Sequence, residues 1–412
     1  MSEKIKVLMF GWEFPPHNSG GLGTACQGIA NSLVGGAVDL TFVLPRKIDD
    51  ITAEGIRIRF AETGGLKLRG VYSPLYPYIT SEEYTSLKKQ GLIFGSTLLE
   101  EVSRYGLLAK DIAKEEDFDI IHAHDWLSFL AGIEAKKVSG KPLVVHIHAT
   151  EFDRTGGKSI NQAVYDIEKM GMEMADKVIA VSQFTKDILI SKYGISEDKI
   201  EVIHNGVDES QFQSVCSSQF HKLEDFKKQG KKIVLFVGRI TMQKGPDYFV
   251  KVAKRVSDLR DNTLFVIAGD GDMKGQIVEE VVSFGMSDKV IFAGFLRGDD
   301  LNCIYRSADI FVMPSVSEPF GITPLEAMTN NTPVIVSRQS GVSEVLRHAL
   351  KVDFWDIDEM TNKIVAVLDN PVLGETLQEN GKTEVLGLNW NKFADKCVSL
   401  YKKLLSFFKP IK

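Results

Sequence analysis

Short apolar runs alternate with longer segments of helical periodicity along almost the whole chain. The apolar runs predict eleven buried strands: Ile5–Phe10, Asp39–Leu44, Asp119–His122, Leu143–His148, Val178–Val181, Ile200–Ile203, Ile233–Val237, Leu264–Ala268, Val290–Phe292, Ile310–Met313 and Val334–Val336. Strands that alternate with helices form βαβ units and parallel sheets. Because eleven strands suit two sheets better than one, the pattern predicts an α/β protein with two parallel sheets.

A polar segment marks the predicted boundary between the two sheets. From Asp208 to Lys232 the chain runs through Ser, Gln and Lys with few apolar residues, and a new strand begins at Ile233. We therefore expect two Rossmann-like parallel-sheet domains, at residues 1–208 and 209–388, that face each other across a cleft. Ligands of open α/β sheets bind beyond the carboxyl ends of the strands, so residues that directly follow strands are the candidates for chemistry.

Composition limits which binding partners and which cellular compartment fit this chain. The 412 residues carry a net charge of −6, which argues against bulk attraction to nucleic acid or to an anionic membrane. No stretch approaches the roughly 20 apolar residues of a membrane span, and no signal peptide is visible. The four cysteines form no C-x-x-C pair, so we expect neither a zinc site nor disulfides but free thiols in a reducing cytoplasm.

A glycine-rich segment, Gly20-Gly21-Leu22-Gly23, follows the first strand and opens a helix. Glycines at this place let backbone N–H groups approach a diphosphate at the helix N-terminus. The dinucleotide-binding fingerprint fails, because Cys26 stands where its third glycine would be. A diphosphate site and a plain flexible turn fit the segment equally well.

Two cations lie five residues apart in the loop after the strand Ile233–Val237. From there Arg239 and Lys244 can reach one diphosphate, Arg239 in bidentate geometry and Lys244 as a compact charge. Such cations stabilise the charge that builds up on a departing diphosphate. A solvated pair on a surface loop is the alternative.

Two glutamates, Glu318 and Glu326, follow the strand that ends at Pro314. Thr323 and Glu326 have the spacing of a capping box, a structural role that can coexist with anion binding at the same helix N-terminus. Glu318 lies in a loop bounded by Pro and Gly, where a solvent-exposed turn is the only structural alternative. Glu318 is therefore the better candidate for contact with a substrate.

Four histidines follow or end two successive predicted strands. Alternation along a strand places His122 and His124 on one face, and His146 and His148 on one face. The spacing fits no H-E-x-x-H motif. We therefore predict no metal site here.

Two further segments have ambiguous chemistry. Asp270-Gly271-Asp272 has the form of the D-x-D motif of metal-dependent sugar transferases, but a turn after a strand commonly has this composition. The segment Val71–Gly91 contains Tyr76 among four tyrosines, and aromatic faces suit the apolar faces of sugar rings. A loop packed on its own aromatic side chains explains that segment at least as well.

Together these motifs resemble those of the retaining glycosyltransferases with the GT-B fold, the group related to glycogen, starch and sucrose synthases. The resemblance covers nearly the whole chain and rests on these segments: Gly20-Gly21-Leu22, His122-Ala123-His124-Asp125-Trp126, Gly238-Arg239, Lys244-Gly245, Gly269-Asp270-Gly271, and Glu318 with Glu326. It implies a donor site for a nucleoside-diphosphate sugar, transfer with retention and no catalytic metal. UDP-, ADP- and GDP-sugars all stay open as donors.

The resemblance also implies roles for individual residues. Arg239 and Lys244 would hold the donor diphosphate, Glu318 would contact the sugar, and Glu326 would bind the ribose hydroxyls. His148 resembles the histidine that touches the sugar, with His146 as the alternative; Glu318, His148, Arg239 and Lys244 are our catalytic candidates. The other candidates for the donor site are Gly20, Gly21, Asp270, Leu296, Gly321, Ile322 and Thr323. Those for the acceptor side are His124, Asp125 and Tyr76.

Two features qualify the resemblance. Glycogen synthases of the ADP-glucose type carry Lys-x-Gly-Gly-Leu, whereas Asn18-Ser19 precede the glycines here, so that lysine is absent. Residues 389–412 resemble the family's final helix, which returns to the N-terminal domain. An amphipathic helix that touches a membrane is the rival interpretation, because lysines lie beside Leu404, Leu405 and Phe407.

The sequence thus predicts a cytoplasmic, retaining hexosyltransferase that moves a hexose, with glucose favoured, from a nucleoside-diphosphate sugar to a saccharide acceptor such as an α-glucan. A transferase for a lipid-linked or cell-envelope glycan is the alternative within the class. A non-catalytic saccharide-binding protein or a GT-B epimerase is the alternative from another class. Nucleic acid is not an expected partner, contact with a membrane surface is not favoured, and the oligomeric state stays open.

Overall fold

The protein divides into two compact units in a computed structural model, which describes residues 4–15, 21–34, 36–46, 53–61, 98–157, 159–207 and 221–408. Unit 1 comprises residues 1–151, 160–204 and 390–412, and unit 2 comprises residues 152–159 and 205–389. Each unit contains one parallel sheet. The prediction of two parallel-sheet α/β domains is therefore confirmed.

The sheet of unit 1 has the strand order β3-β2-β1-β4-β5-β6-β7, with every pair parallel. Its strands are β1 Ile5–Phe10, β2 Val38–Leu44, β3 Arg57–Phe60, β4 Ile120–His124, β5 Leu143–Ile147, β6 Lys177–Ala180 and β7 Ile200–Val202. The helices up to β7 are α1 Gly21–Val34, α2 Leu98–Glu115, α3 Trp126–Ser139, α4 Glu151–Arg154, α5 Gln162–Met174 and α6 Gln183–Tyr193. Strands buried on both faces explain the continuous apolar runs in the sequence.

The sheet of unit 2 has the order β10-β9-β8-β11-β12-β13 and is also parallel. Its strands are β8 Lys232–Val237, β9 Thr263–Ala268, β10 Val290–Gly294, β11 Ile310–Met313, β12 Val334–Ser337 and β13 Leu350–Val352. Its helices are α7 His221–Lys228, α8 Pro246–Leu259, α9 Lys274–Ser283, α10 Gly298–Ser307, α11 Thr323–Thr329, α12 Val342–Val345, α13 Ile357–Asp369 and α14 Pro371–Val385. One-turn 3-10 helices span Glu197–Lys199 in unit 1 and Met242–Lys244 here.

The structure corrects three expectations. Strands β3 and β13 were not predicted; both are short edge strands, and β3 alternates exposed arginines with partly buried residues, so neither forms an apolar run. The polar stretch from Asp208 to Lys232 contains helix α7 within its described part. Cys26 and Cys397 are free and buried, but Cys303 is disulfide-bonded, so the expectation of free thiols is wrong for Cys303.

The last helix, α15 Trp390–Phe408, belongs to unit 1 and packs against α1. A notch at Gly28 receives the Trp390 ring, since a Cβ there would lie 2.2 Å from that indole. The apolar face of α15 is buried as far as Leu404, whereas Phe407 is exposed. Because unit 1 covers this face, the membrane-touching interpretation loses most of its apolar surface. Among the described residues, no helix has the length and apolar character to cross a bilayer.

Candidate active site

Glycines bring the loops at the carboxyl edge of the unit 2 sheet into backbone contact. Gly269 has φ 146°, and a Cβ there would lie 1.9 Å from the carbonyl oxygen of Gly238. Gly245 has φ 66°, and its Cβ would lie 2.1 Å from the carbonyl oxygen of Pro314. Only glycine fits both the positive φ and the close approach. The loop after β8 is thereby pressed against the loops after β9 and β11.

Lys244 and Glu318 meet where two of these loops touch. The Lys244 ammonium donates to Glu318 Oε2 at 2.6 Å, and the Ser315 hydroxyl donates to the same oxygen at 3.1 Å. The Glu318 side chain is 8% exposed and that of Lys244 is 24% exposed. A solvent-exposed turn is therefore the wrong structural interpretation of Glu318. An ammonium has three hydrogen-bond donors, so Lys244 can donate to another acceptor while it holds Glu318. The pair therefore presents a cation and a carboxylate side by side.

The backbone of Glu318 is fixed by neighbouring chain segments. Its N–H donates to the carbonyl of Gln339, and its carbonyl accepts from the N–H of Gly341, both at 2.9 Å. The adjacent Ser317 hydroxyl donates to Asp153 at 2.6 Å. Asp153 is fully buried and was missed by the sequence reasoning, because 164 residues separate it from Ser317 and no motif links them.

Glu326 is held by Tyr305 rather than by a capping box. The Tyr305 hydroxyl donates to Glu326 Oε2 at 2.9 Å. Helix α11 begins at Thr323, its N-cap residue is Ile322, and no side chain caps it, so the predicted capping box is wrong. Burial raises the pKa of the Glu326 carboxyl, and the hydrogen bond from Tyr305 partly opposes that shift.

The remaining donor-site candidates lie on the same loops of unit 2. Arg239 is half-buried in the loop that also carries Lys244. Gly321 adopts φ 100° next to the Glu318 side chain and leads Ile322 and Thr323 into the first turn of α11. Asp270 is exposed and accepts from the N–H of Gly271 at 2.9 Å, as expected of a turn. Leu296 is partly buried after β10. Their roles in binding stay predictions.

Four histidines of unit 1 form one stacked array. Strands β4 and β5 pair in parallel with His124 opposite His146, so both predicted pairs lie on the same face of the sheet. Neighbouring rings lie 4.1 to 5.4 Å apart between centroids. Helix α15 covers the array: the Phe393 ring is parallel to His146, and the Tyr401 hydroxyl lies 2.6 Å from Nδ1 of His122.

His148 stands at the open end of this array. It is 9% exposed, whereas His146 is fully buried, and the choice between them as the sugar contact stays a prediction. Its Nε2 lies 3.0 Å from Nδ1 of His124, and its backbone N–H donates to Asp125 Oδ1 at 2.7 Å. Asp125 has φ 56°, a strained value for a residue other than glycine. Burial lowers the pKa of His148 to about 3, which keeps its imidazole neutral.

The glycine-rich segment is described only from Gly21, the first residue of α1. A Cβ at Gly21 would meet nothing within 4 Å, so packing does not demand glycine there. The buried carboxylate of Glu13 accepts from the N–H of Gly23 at 3.0 Å and occupies part of the helix N-terminus, a contact that the sequence did not reveal. Gly20 and Tyr76 lie outside the described residues.

Solved structures of known proteins share this architecture. Sucrose-phosphate synthase from Thermosynechococcus elongatus matches with a TM-score of 0.78 and 21% identity, over 98% of this chain and 100% of its own. The Anabaena protein HepE, solved with UDP and glucose, matches with a TM-score of 0.71 and 16% identity, over 97% and 100%. The predicted GT-B fold is confirmed.

Sequence comparisons identify the family. The family model "Glycosyl transferases group 1" matches residues 218–384, and "Glycosyltransferase Family 4" matches residues 19–211. An uncharacterized glycosyltransferase of Methanocaldococcus jannaschii is 32% identical over 97% of this chain and 98% of its own length. A UDP-Gal:α-D-GlcNAc-diphosphoundecaprenol α-1,3-galactosyltransferase of Escherichia coli is 29% identical over 73% and 78%. Glycogen synthase of Mycobacterium tuberculosis is 24% identical over 96% and 94%. This chain therefore belongs to the group 1 glycosyltransferases with the GT-B fold.

Proposed function

We propose that the protein is a retaining hexosyltransferase that moves glucose from a nucleoside diphosphate to a saccharide acceptor. The contact between Lys244 and Glu318, at 2.6 Å, carries the proposal. In a sugar nucleotide, the anomeric carbon is bonded directly to the diphosphate. A cation for the diphosphate and a carboxylate for sugar hydroxyls must therefore lie side by side, as these two groups do.

Each part of the nucleotide-sugar donor is bound by a different group of residues. Lys244 and Arg239 bind the diphosphate and stabilise the charge that it gains as the bond to C1 breaks. Glu318 accepts hydrogen bonds from hydroxyls of the hexose, and Glu326 binds the ribose diol. The N-terminus of α11, with Gly321 before it, adds a positive dipole end for the phosphates.

Retention follows if the acceptor attacks C1 on the face that the diphosphate leaves. The bond from C1 to the diphosphate oxygen breaks, the bond from C1 to the acceptor oxygen forms, and the acceptor proton passes to the leaving diphosphate. Neutral His148 contacts the sugar as a hydrogen-bond partner and carries no charge that would compete with the cationic sugar in the transition state.

Glucose and a saccharide acceptor are supported by the relatives. The Mycobacterium tuberculosis relative is a glycogen synthase, and the Anabaena structure holds UDP and glucose. The alternative, a lipid-linked glycan as acceptor, is supported by the Escherichia coli relative, whose named substrate is a diphosphoundecaprenol. A non-catalytic role is disfavoured because it gives no reason for a buried Glu318 carboxylate paired with the partly exposed Lys244.

A donor screen tests the proposal. Purified protein is incubated with UDP-, ADP- and GDP-glucose and UDP-galactose, each with an α-glucan or with a GlcNAc-diphosphopolyprenol, and release of nucleoside diphosphate is measured. Release with a glucosyl donor and the glucan supports the proposal, and release only with the polyprenol supports the alternative. No release from any combination overturns the proposed glucosyl transfer and its named alternative. The anomeric configuration of the product, read by NMR, decides between retention and inversion.

The substitution Lys244→Ala, paired with a control lysine, tests the role of this site in catalysis. Loss of a charge that stabilises the leaving group lowers turnover by about 100-fold or more. Lys251→Ala is the control, because Lys251 lies on α8 in an ion pair with Asp247 at 2.8 Å and has no assigned role. Equal activity of the two variants would remove Lys244 from the mechanism.

A further inference from the structure

The histidine array of unit 1 contains buried polar atoms that nothing satisfies. Within the described residues, Nε2 of His122, Nε2 of His124, both ring nitrogens of His146 and Nδ1 of His148 are buried and lack a hydrogen-bond partner. Buried polar groups almost always have partners, and an exception calls for an explanation such as a bound ion. The proposed sugar transfer uses only His148 and so leaves the array unexplained.

A thiol lies next to the open end of the array. The ligand atoms of Cys26, His124 and His148 all lie within 4.8 Å of one another. They come from α1, from the end of β4 and from the residue after β5, so three separate elements converge on one point. Cys26 is fully buried and free.

The spacing of these three groups suits a metal ion. If each pair of ligand atoms is at most 4.8 Å apart, an ion at their centre lies within about 2.8 Å of each, compared with about 2.3 Å for Zn–S and about 2.0–2.1 Å for Zn–N bonds. Shifts of about 0.5 Å for the sulfur and up to about 0.8 Å for the nitrogens close the difference.

The other histidine trio is a poorer site. The ligand atoms of His122, His124 and His146 are equally close, but the His122 ring is nearly parallel to both others, at 25° and 15°. Nδ1 of His122 already lies 2.6 Å from the Tyr401 hydroxyl, and this trio contains no thiol. The rings of His124 and His148 are tilted by 33°, and Asp125 already fixes the backbone of His148.

We propose that Cys26, His124 and His148 form a binding site for a divalent metal of the zinc type, with a fourth position left for water. One thiolate and two imidazoles select borderline-soft metals over Mg²⁺ and Ca²⁺. Binding replaces the Cys26 thiol proton, so that one proton leaves for each ion bound. If the proposed function holds, the bound ion also engages His148 and inhibits sugar transfer. The site departs from our sequence prediction of no metal.

Cobalt spectroscopy of the full-length protein tests the site without any sugar donor. Protein freed of metal by EDTA is titrated with Co²⁺, which substitutes for Zn²⁺ in tetrahedral sites. We expect one Co²⁺ per chain, with a thiolate-to-cobalt charge-transfer band that Zn²⁺ abolishes. Absence of that band in the wild-type protein overturns the proposal, whatever the variants do.

Variants locate the ligands. Cys26→Ser is expected to lose the charge-transfer band, and His124→Asn to weaken Co²⁺ affinity by at least tenfold, whereas Cys397→Ser, which alters the other buried free thiol, keeps both. A band that survives Cys26→Ser or vanishes in Cys397→Ser refutes the assignment. Because the titration needs no substrate, a cobalt band in a protein without transferase activity would refute the proposed function alone. Where activity is present, Zn²⁺ should inhibit the wild type at least tenfold more strongly than Cys26→Ser, each relative to its own metal-free rate.

Discussion

The buried histidine array should make unit 1 sensitive to mild acid. Burial lowers the pKa of His122 and of His148 to about 3, and it lowers those of His124 and His146 well below the usual value. In the unfolded chain each imidazole titrates near about 6.5. Below that pH the unfolded chain binds protons that the folded chain excludes, so the free energy of unfolding falls as the pH falls.

The size of this loss in unfolding free energy follows from the same histidine pKa shifts. At pH 5.5 an unfolded histidine is about 90% protonated, which favours the unfolded state by about 1.4 kcal/mol for each imidazole that stays neutral when folded. Four such residues together cost about 5–6 kcal/mol relative to pH 7.5, where the effect is close to zero. Domains are typically stable by only about 5–15 kcal/mol, so unit 1 should lose much or all of its stability near pH 5.

Urea denaturation at pH 7.5 and 5.5, with EDTA present, measures this loss. Tryptophan fluorescence reports mainly on unit 1, because Trp12, Trp126 and Trp390 are at most 9% exposed there, whereas Trp355 of unit 2 is 56% exposed. The emission shift of the buried tryptophans should move to much lower urea at pH 5.5. A difference in unfolding free energy below about 1 kcal/mol between the two pH values would refute the account of four neutral buried imidazoles.

A matched pair of variants isolates the array. His146→Phe keeps a flat ring beside Phe393 but removes one titrating group, so the loss between pH 7.5 and 5.5 should shrink by about 1.4 kcal/mol. His348→Gln changes a histidine in unit 2 that is paired with Glu384 on the surface. It should leave the transition of unit 1 unchanged at both pH values.

Three further predictions concern unit 2. Glu318→Gln should lower turnover by about 100-fold, while nucleotide binding, measured by calorimetry, stays equal or tightens because the charge that neutralises Lys244 is gone; unchanged turnover would contradict the role of Glu318. Gly269→Ala should destabilise unit 2 by at least about 2 kcal/mol in urea, because of positive φ and the contact with Gly238, whereas Gly275→Ala, where a Cβ meets nothing within 4 Å, should not. Tyr305→Phe removes the hydrogen bond that lowers the pKa of Glu326. The loss of nucleotide affinity in acid should therefore begin at higher pH than in the wild type. Coincident pH profiles of the two proteins would exclude a role for Glu326 in that loss.

Most of the fold could be predicted from the sequence, because the buried strands of parallel sheets appear as continuous runs of apolar residues. Strands buried on both faces must be continuously apolar, and eleven of the thirteen described strands overlap a predicted apolar run. The two edge strands that were missed, Arg57–Phe60 and Leu350–Val352, have less to bury and so carry polar residues. Helix α7 was missed in the polar stretch after Asp208 for the same reason.

Residue types that bind diphosphates and sugars could also be identified from the sequence alone, since their position after strands follows from chain order. Their partners could not. Thr323 and Glu326 have the spacing of a capping box, yet Glu326 bonds Tyr305, 21 residues away. The residues around Glu318 have the composition of an exposed turn, yet its side chain is buried against Lys244, 74 residues away.

The histidines show the same division. Alternation along each strand determined that His122 lies on a face with His124, and His146 on a face with His148. Only the register of β4 against β5 decided that the two faces are one, and only the packing of α1 placed Cys26 beside them. Local periodicity is written in the chain, whereas contacts between distant segments depend on how sheets, glycines and helices bring backbones together. The sequence therefore determined which residues have side chains suited to this chemistry, and the tertiary structure decided which of them lie together.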